Sequence, residues 1–158
     1  MAGEVYLTRA AYEKFLKELE DLKKESIKIA GQIEQARHLG DLKENAEYHA
    51  AKEAQGYNAG RQIDVKNKIA NVRIIEDQDI PSDKIYIGAI VTLRDLDTDE
   101  EFTYQMVSPE EASYEENKIS IVAPIGKGLM GHPVGAELAI KVPAGTLKYK
   151  VLKIKRPK

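Results

Sequence analysis

Two acidic residues three positions apart, Asp41 and Glu44, lie in the polar segment Gly40-Asp41-Leu42-Lys43-Glu44-Asn45-Ala46-Glu47-Tyr48-His49-Ala50-Ala51. Side chains at that spacing share one face of a helix, so both carboxylates can face a single cation. Magnesium takes an octahedron of oxygens and usually accepts only one or two protein carboxylates beside water and phosphate. On that reading the pair is part of a magnesium site, and another molecule would have to complete it. The same spacing also fits a capping box, with Asp41 as a helix N-cap and Glu44 at its third position. Spacing alone leaves both readings open.

Other chemistries find no support. The chain has no cysteine, which excludes disulfides, thiolate zinc sites and cysteine nucleophiles. Its three histidines, His38, His49 and His132, form no His-x-x-x-His pair, which argues against a zinc hydrolase. Gly126-Lys127-Gly128 lacks the spacing of a phosphate loop, and there is no Gly-x-Ser-x-Gly elbow. Asp97-Thr98-Asp99 lacks the glycine and the distal glutamate of a calcium loop and reads as a hairpin turn.

Charge narrows the partners. The 158 residues carry 24 Lys and Arg against 26 Asp and Glu, a formal net charge of −2. Autonomous binding to DNA or RNA normally needs a basic excess, because counterion release drives it. Contact with nucleic acid is therefore expected only where another protein already holds it. The start, Met1-Ala2-Gly3-Glu4-Val5-Tyr6, carries an acid and no long apolar run, so it does not read as a signal peptide. No stretch approaches the roughly 20 apolar residues that span a bilayer. The expectation is a soluble cytoplasmic protein with no membrane partner.

The elements that would carry Asp41 and Glu44 are two long helices. Thr8 is a good N-cap, with Leu7 and Tyr12 placed for a hydrophobic staple. From there Tyr12, Phe15, Leu19, Leu22, Ser26, Ile29, Ile33 and Ala36 alternate by threes and fours, a heptad seam with one polar interruption. Gly40 stands where a C-cap is expected. A second periodic run, Ile63, Val65, Ile69, Val72 and Ile75, continues backwards through Asn58, Gln55 and Ala51. Two helices joined by a short loop pack antiparallel, and about 30 residues of helix reach roughly 45 Å. The weak distal seam predicts a tip held by little core. Periodicity alone also fits a dimerising coiled coil or a spacer.

All six prolines lie at or after Pro81, which puts a composition break near Asp77 to Asp83. The expected organisation is a hairpin over residues 1–77, a linker over 78–83 and a second domain over 84–158. Candidate strands in that domain are Ile85 to Leu93, Glu101 to Val107, Lys118 to Val122, Glu137 to Val142 and Lys148 to Ile154. A helical turn is expected around Gly126 to Met130. The class is α+β: a two-helix antiparallel coiled-coil hairpin followed by a small antiparallel β domain.

The run from Gly40 to Glu53 resembles the tip of the Gre family of bacterial transcript-cleavage factors almost residue for residue. The resemblance covers the whole chain. It includes Leu7-Thr8, Asp97-Thr98-Asp99-Glu100-Glu101, Ile119-Ser120, Ala123-Pro124-Ile125, Gly126-Lys127-Gly128-Leu129-Met130-Gly131 and Pro143-Ala144-Gly145. It implies an FKBP-like C-terminal domain that docks at the rim of the secondary channel of bacterial RNA polymerase, with Ser120, Pro124 and Ile125 in the docking surface. It implies a hairpin that enters the channel when the polymerase has backtracked. Asp41 and Glu44 match the family's tip acids, which help hold a Mg2+ ion completed by the polymerase. The polymerase then cuts its own transcript, and the factor alone is not an enzyme. Arg37 and Lys52 match positions that contact the extruded 3′ end of the RNA, with Lys43 and Arg61 as weaker candidates. This small basic set suits the GreA-like members better than the GreB-like ones. Two alternatives remain: a Gre-like inhibitor of polymerase, against which the intact acidic pair argues, and a prolyl isomerase or chaperone, for which the second half offers few aromatics.

Overall fold

The computed structural model describes residues 3–38 and 45–157. Two compact units divide the chain: Met1–Tyr12 with Val72–Lys158, and Glu13–Asn71. The expected hairpin over residues 1–77 differs from this division at both ends, because residues 1–12 and 72–77 fall in the unit that also holds 78–158. The first strand, β1 (Val5–Leu7), pairs in parallel with β2 (Val72–Ile74), joining Val5 to Val72 and Leu7 to Ile74. That pairing ties the start of the chain to the segment beyond the helices.

Helix α1 runs Arg9–Arg37 and begins as its sequence predicts. Thr8 Oγ1 accepts the Ala11 N–H at 3.2 Å, the bond of an N-cap. All eight positions of the expected seam are buried or half-buried, whereas most residues between them are exposed. Helix α2 runs Ala46–Ile69 and is shorter than the periodic run suggested. Val72 belongs to β2 and Ile75 to a 3-10 turn. The three-residue spacing of Ile69, Val72 and Ile75 imitates a helix, but β-branched residues also suit a strand, and β1 supplies the partner. Ile63, placed in the seam by its spacing, is 58% exposed, and its neighbour Val65 is fully buried instead.

The hairpin unit is held by two kinds of contact. Ile29, Ile33 and Ala51 form an apolar cluster near its far end, with Tyr48 packed against it. The distal part is thus better filled than the sequence suggested, because Tyr48 turns its ring inward. Nearer the middle the ties are polar. Asn58, 4% exposed, donates to the Leu22 carbonyl at 2.9 Å and accepts from Gln62. Arg61 forks onto Glu18 with bonds of 2.6 and 2.9 Å. As α1 advances from Glu18 through Leu22 to Ala36, its partners fall from Arg61 through Asn58 to Asn45, the pattern of an antiparallel pair.

The other unit is built on a five-stranded sheet ordered β5-β4-β3-β7-β6, where β3 is Ile90–Asp95, β4 Glu101–Val107, β5 Lys118–Ser120, β6 Glu137–Val142 and β7 Gly145–Lys155. The bounds expected for β4 and β6 hold. The sheet is mixed, not wholly antiparallel: β5 runs parallel to β4, with Gln105 beside Lys118 and Val107 beside Ser120. The strand expected from Ile85 starts only at Ile90, because the chain bends at Gly88 (φ +88°), where a Cβ would meet Ile75 Cγ2 at 2.4 Å. The β3–β4 turn is the expected hairpin, with Asp95 Oδ1 accepting the N–H groups of Asp97 and Thr98. Val91, Leu93, Met106, Leu129 and Val151 are fully buried and form the core with Ile85, Ile140 and Tyr149. No helix among the described residues is long and apolar enough to cross a membrane.

Candidate functional site

At the far end of the hairpin, α1 stops at Arg37 and α2 is entered through Asn45. Asn45 Oδ1 accepts the Tyr48 N–H at 3.1 Å, and Asn45 Nδ2 donates to the Ala36 carbonyl at 2.6 Å. The N-cap of α2 is therefore Asn45. Asp41 and Glu44, with Lys43, lie outside the described residues. Among the described residues no group of three or more His, Asp or Glu is placed to hold a metal ion.

The basic candidates fall into two groups. Arg37 is exposed in the last turn of α1, where its charge also complements the helix dipole. Lys52 is exposed on α2, and its Nζ donates to Gln55 Oε1 at 3.2 Å, a weak restraint on a long side chain. Arg61 is committed elsewhere. Its hydrogen bonds to Glu18 hold its own pKa above the ordinary value and hold the Glu18 carboxyl below its own. A guanidinium in a bidentate pair is oriented by that pair, so Arg61 serves the hairpin before any ligand.

In the sheet unit, Ser120, Pro124 and Ile125 line one apolar groove of about 460 Å³. Tyr104, Tyr114, Val142 and Pro143 complete much of its wall. Helix α3 (Pro124–Leu129) forms one side, entered by Pro124 at its first turn, where a missing N–H costs nothing. The close approach of α3 to β5 depends on Gly126: a Cβ there would lie 1.9 Å from the Ser120 carbonyl oxygen. Ser120 Oγ accepts the Val122 N–H at 3.2 Å and so shapes the turn between strand and helix. Burial raises the Tyr104 pKa. Tyr114, by contrast, is 94% exposed, a large ring left in solvent at the rim.

Sequence reasoning passed over three residues that organise these regions. Asn45 is one, although an Asn just before a helical run is a strong N-cap signal. Glu111 is another: a buried carboxylate that accepts from Thr8 N–H at 2.9 Å and Thr8 Oγ1 at 2.6 Å, with Lys118 Nζ at 3.3 Å. Nothing near Glu111 in the sequence distinguishes it from its exposed neighbour Glu110. Tyr114 is the third, and its position at the groove follows only from the fold.

Comparison with known proteins matches both halves. The N-terminal model for a transcription elongation factor covers residues 5–74, and the C-terminal model for the elongation factors GreA/GreB covers residues 80–156. A transcription elongation factor GreA from Chloroherpeton thalassium is 45% identical over 156 residues, 98% of this chain and 99% of that protein. One from Thermotoga sp. (strain RQ2) is 43% identical, covering 96% of this chain and 97% of that protein. The crystal structure of GreA factor homolog 1 (Gfh1) of Thermus thermophilus is 28% identical, with a TM-score of 0.45 over 97% of this chain and 99% of that one. With both halves matched in sequence and full-length relatives above 40% identity, the chain belongs to the GreA/GreB family of transcription elongation factors.

Proposed function

We propose that this chain rescues arrested transcription by inserting its hairpin into the secondary channel of bacterial RNA polymerase and stimulating the polymerase's own cleavage of backtracked RNA. The observation that carries this reading is the hairpin itself. Helix α1 has 29 residues and so extends about 43 Å. Its pairing with α2 is pinned along its length by Glu18–Arg61, Leu22–Asn58 and Ala36–Asn45. Such an element can deliver the segment that joins its helices, and with it Asp41 and Glu44, to a distant site. Two carboxylates are hard oxygen donors of the kind Mg2+ takes, and too few to hold it alone. In this reading they complete a site the polymerase has half built and orient the attacking water. Arg37 and Lys52 steer the extruded 3′ end of the RNA. The apolar groove at Ser120, Pro124 and Ile125 is the docking surface. Cleavage releases the blocked end, and synthesis resumes.

Two carboxylates are too few to hold Mg2+ alone, so no nuclease activity is expected from the chain by itself. The test is to add the protein to a stalled, backtracked bacterial elongation complex and follow the labelled RNA. Short fragments lost from the 3′ end, followed by renewed elongation, are expected. RNA left intact, or RNA cut by the factor without polymerase, refutes the proposal.

A further inference from the structure

We propose that Tyr114 is the anchor of the groove in the sheet unit, closing over an apolar side chain of the polymerase that has a cation beside it; this rests on the docking reading given above. The ring stands on a hydrogen-bonded turn. Ser113 and Lys118 exchange backbone hydrogen bonds of 2.9 and 3.1 Å, and the Asn117 N–H donates to the Tyr114 carbonyl at 3.2 Å. Asn117 takes a positive φ of 57° in that turn, a conformation asparagine adopts more readily than most residues. Tyr114 is the first corner of the turn, so its backbone is fixed before any partner arrives.

Tyr114 lines the groove with Tyr104, Ile125, Val142 and Pro143, yet its ring is almost wholly in solvent. The free protein therefore gains almost nothing from packing it. A ring beside an apolar groove is stabilised when a partner fills the groove and takes both out of water. Tyrosine suits that task, because it offers a wide contact area with few rotatable bonds to immobilise. Aromatic side chains set against a pocket carry a disproportionate share of interface affinity.

The same turn gives the charge of the occupant. Its middle residues, Glu115 and Glu116, are both exposed. From Ser108 to Lys118 the chain has four acids, Glu110, Glu111, Glu115 and Glu116, and one base, Lys118. Lys118 Nζ lies 3.3 Å from the buried Glu111 carboxylate and 3.6 Å from that of Glu116. One positive charge is shared between two carboxylates, so the turn stays acidic. A Lys or Arg next to the occupant's apolar side chain meets a favourable field there, whereas a second copy of this turn meets repulsion. That charge favours a foreign basic segment over self-association.

The experiment uses the full-length protein and bacterial RNA polymerase. Labelled parent protein is titrated with polymerase, and unlabelled variants compete with it. Tyr114→Ser should weaken binding about 10-fold or more, with a melting temperature within about 2 °C of the parent, and Tyr114→Phe should bind like the parent. Glu115→Gln/Glu116→Gln should bind more weakly than the parent at low salt and converge with it at high salt. With the parent bound, a smaller loss for Tyr114→Ser, an equal loss for Tyr114→Phe, or a loss that follows a matching drop in melting temperature overturns the anchor and leaves the docking reading standing. Unchanged affinity of the double variant at low salt overturns the cationic occupant. A parent dimer in light scattering that Tyr114→Ser dissolves would assign the groove to a second copy and overturn the proposal. A parent that does not bind polymerase removes the docking reading, and the anchor with it.

Discussion

Gly126→Ala and Gly31→Ala are the same substitution in two helices, and the structure assigns them opposite signs. In a helix interior, replacing glycine by alanine gains up to about 1 kcal/mol, because alanine loses less backbone freedom on folding. At Gly31 the new Cβ meets nothing within 4 Å, so that gain should appear in full. At Gly126 the Cβ would sit 1.9 Å from the Ser120 carbonyl oxygen, 2.9 Å from its carbon and 3.1 Å from Ile121 Cα. All three are backbone atoms and cannot rotate aside. Carbon–oxygen contacts need about 3.3 Å, so α3 would have to move more than about 1 Å away from β5. Overpacking of this kind costs about 1–3 kcal/mol and outweighs the propensity gain. For a domain of this size 1 kcal/mol shifts the melting temperature by about 4–8 °C. Gly126→Ala should therefore melt several degrees below the parent, and Gly31→Ala a few degrees above it. The movement also splits the wall of the groove between Ser120 and Pro124, so Gly126→Ala should compete poorly for polymerase. Equal or higher melting of Gly126→Ala refutes the steric reasoning. Lower melting with unchanged polymerase affinity, measured where the protein is folded, refutes the docking role of the groove.

Asp41→Asn and Glu44→Gln should each lower stimulated cleavage by roughly 10²–10³. Since Asn45 supplies the cap of α2, neither should shift the melting temperature or the competition for polymerase; cleavage rates and melts on the same samples check this. Thr8→Ala removes an N-cap and a donor to the buried Glu111 carboxylate together, so it should cost more than the ~1 kcal/mol of an ordinary cap. Denaturant titration measures that loss. Glu18→Gln tests the pH dependence of the hairpin. Hydrogen bonding to Arg61 holds the folded Glu18 carboxyl below the ordinary value of 4.5, so its stabilisation is present above that value and is lost as pH falls through the folded one. Parent and variant should therefore differ most near neutral pH and converge in acid; a gap that persists at low pH would refute the assignment.

Local pattern carried much of the fold. The eight-residue seam of α1 lies on the buried side because spacing by threes and fours fixes a face whatever it packs against. Thr8 could be read as a cap, and β4 and β6 as strands, because those signals are complete within a few residues. Residue type and spacing single out Asp41 and Glu44 as a carboxylate pair, and both lie outside the described residues. What tertiary structure decided is the identity of partners distant in sequence. Val72 leaves the helical period because β1 waits for it, and a strand of three residues is too short to show a period of its own. β5 runs parallel to β4, a direction no local signal encodes. Glu111 is buried because Thr8, far away in the chain, brings two donors to it. Asn45 ties the two helices only because antiparallel pairing brings the Ala36 carbonyl to its amide. Residue type sets what a group can donate or accept, but the free energy of burying it depends on which partner the folded chain places beside it.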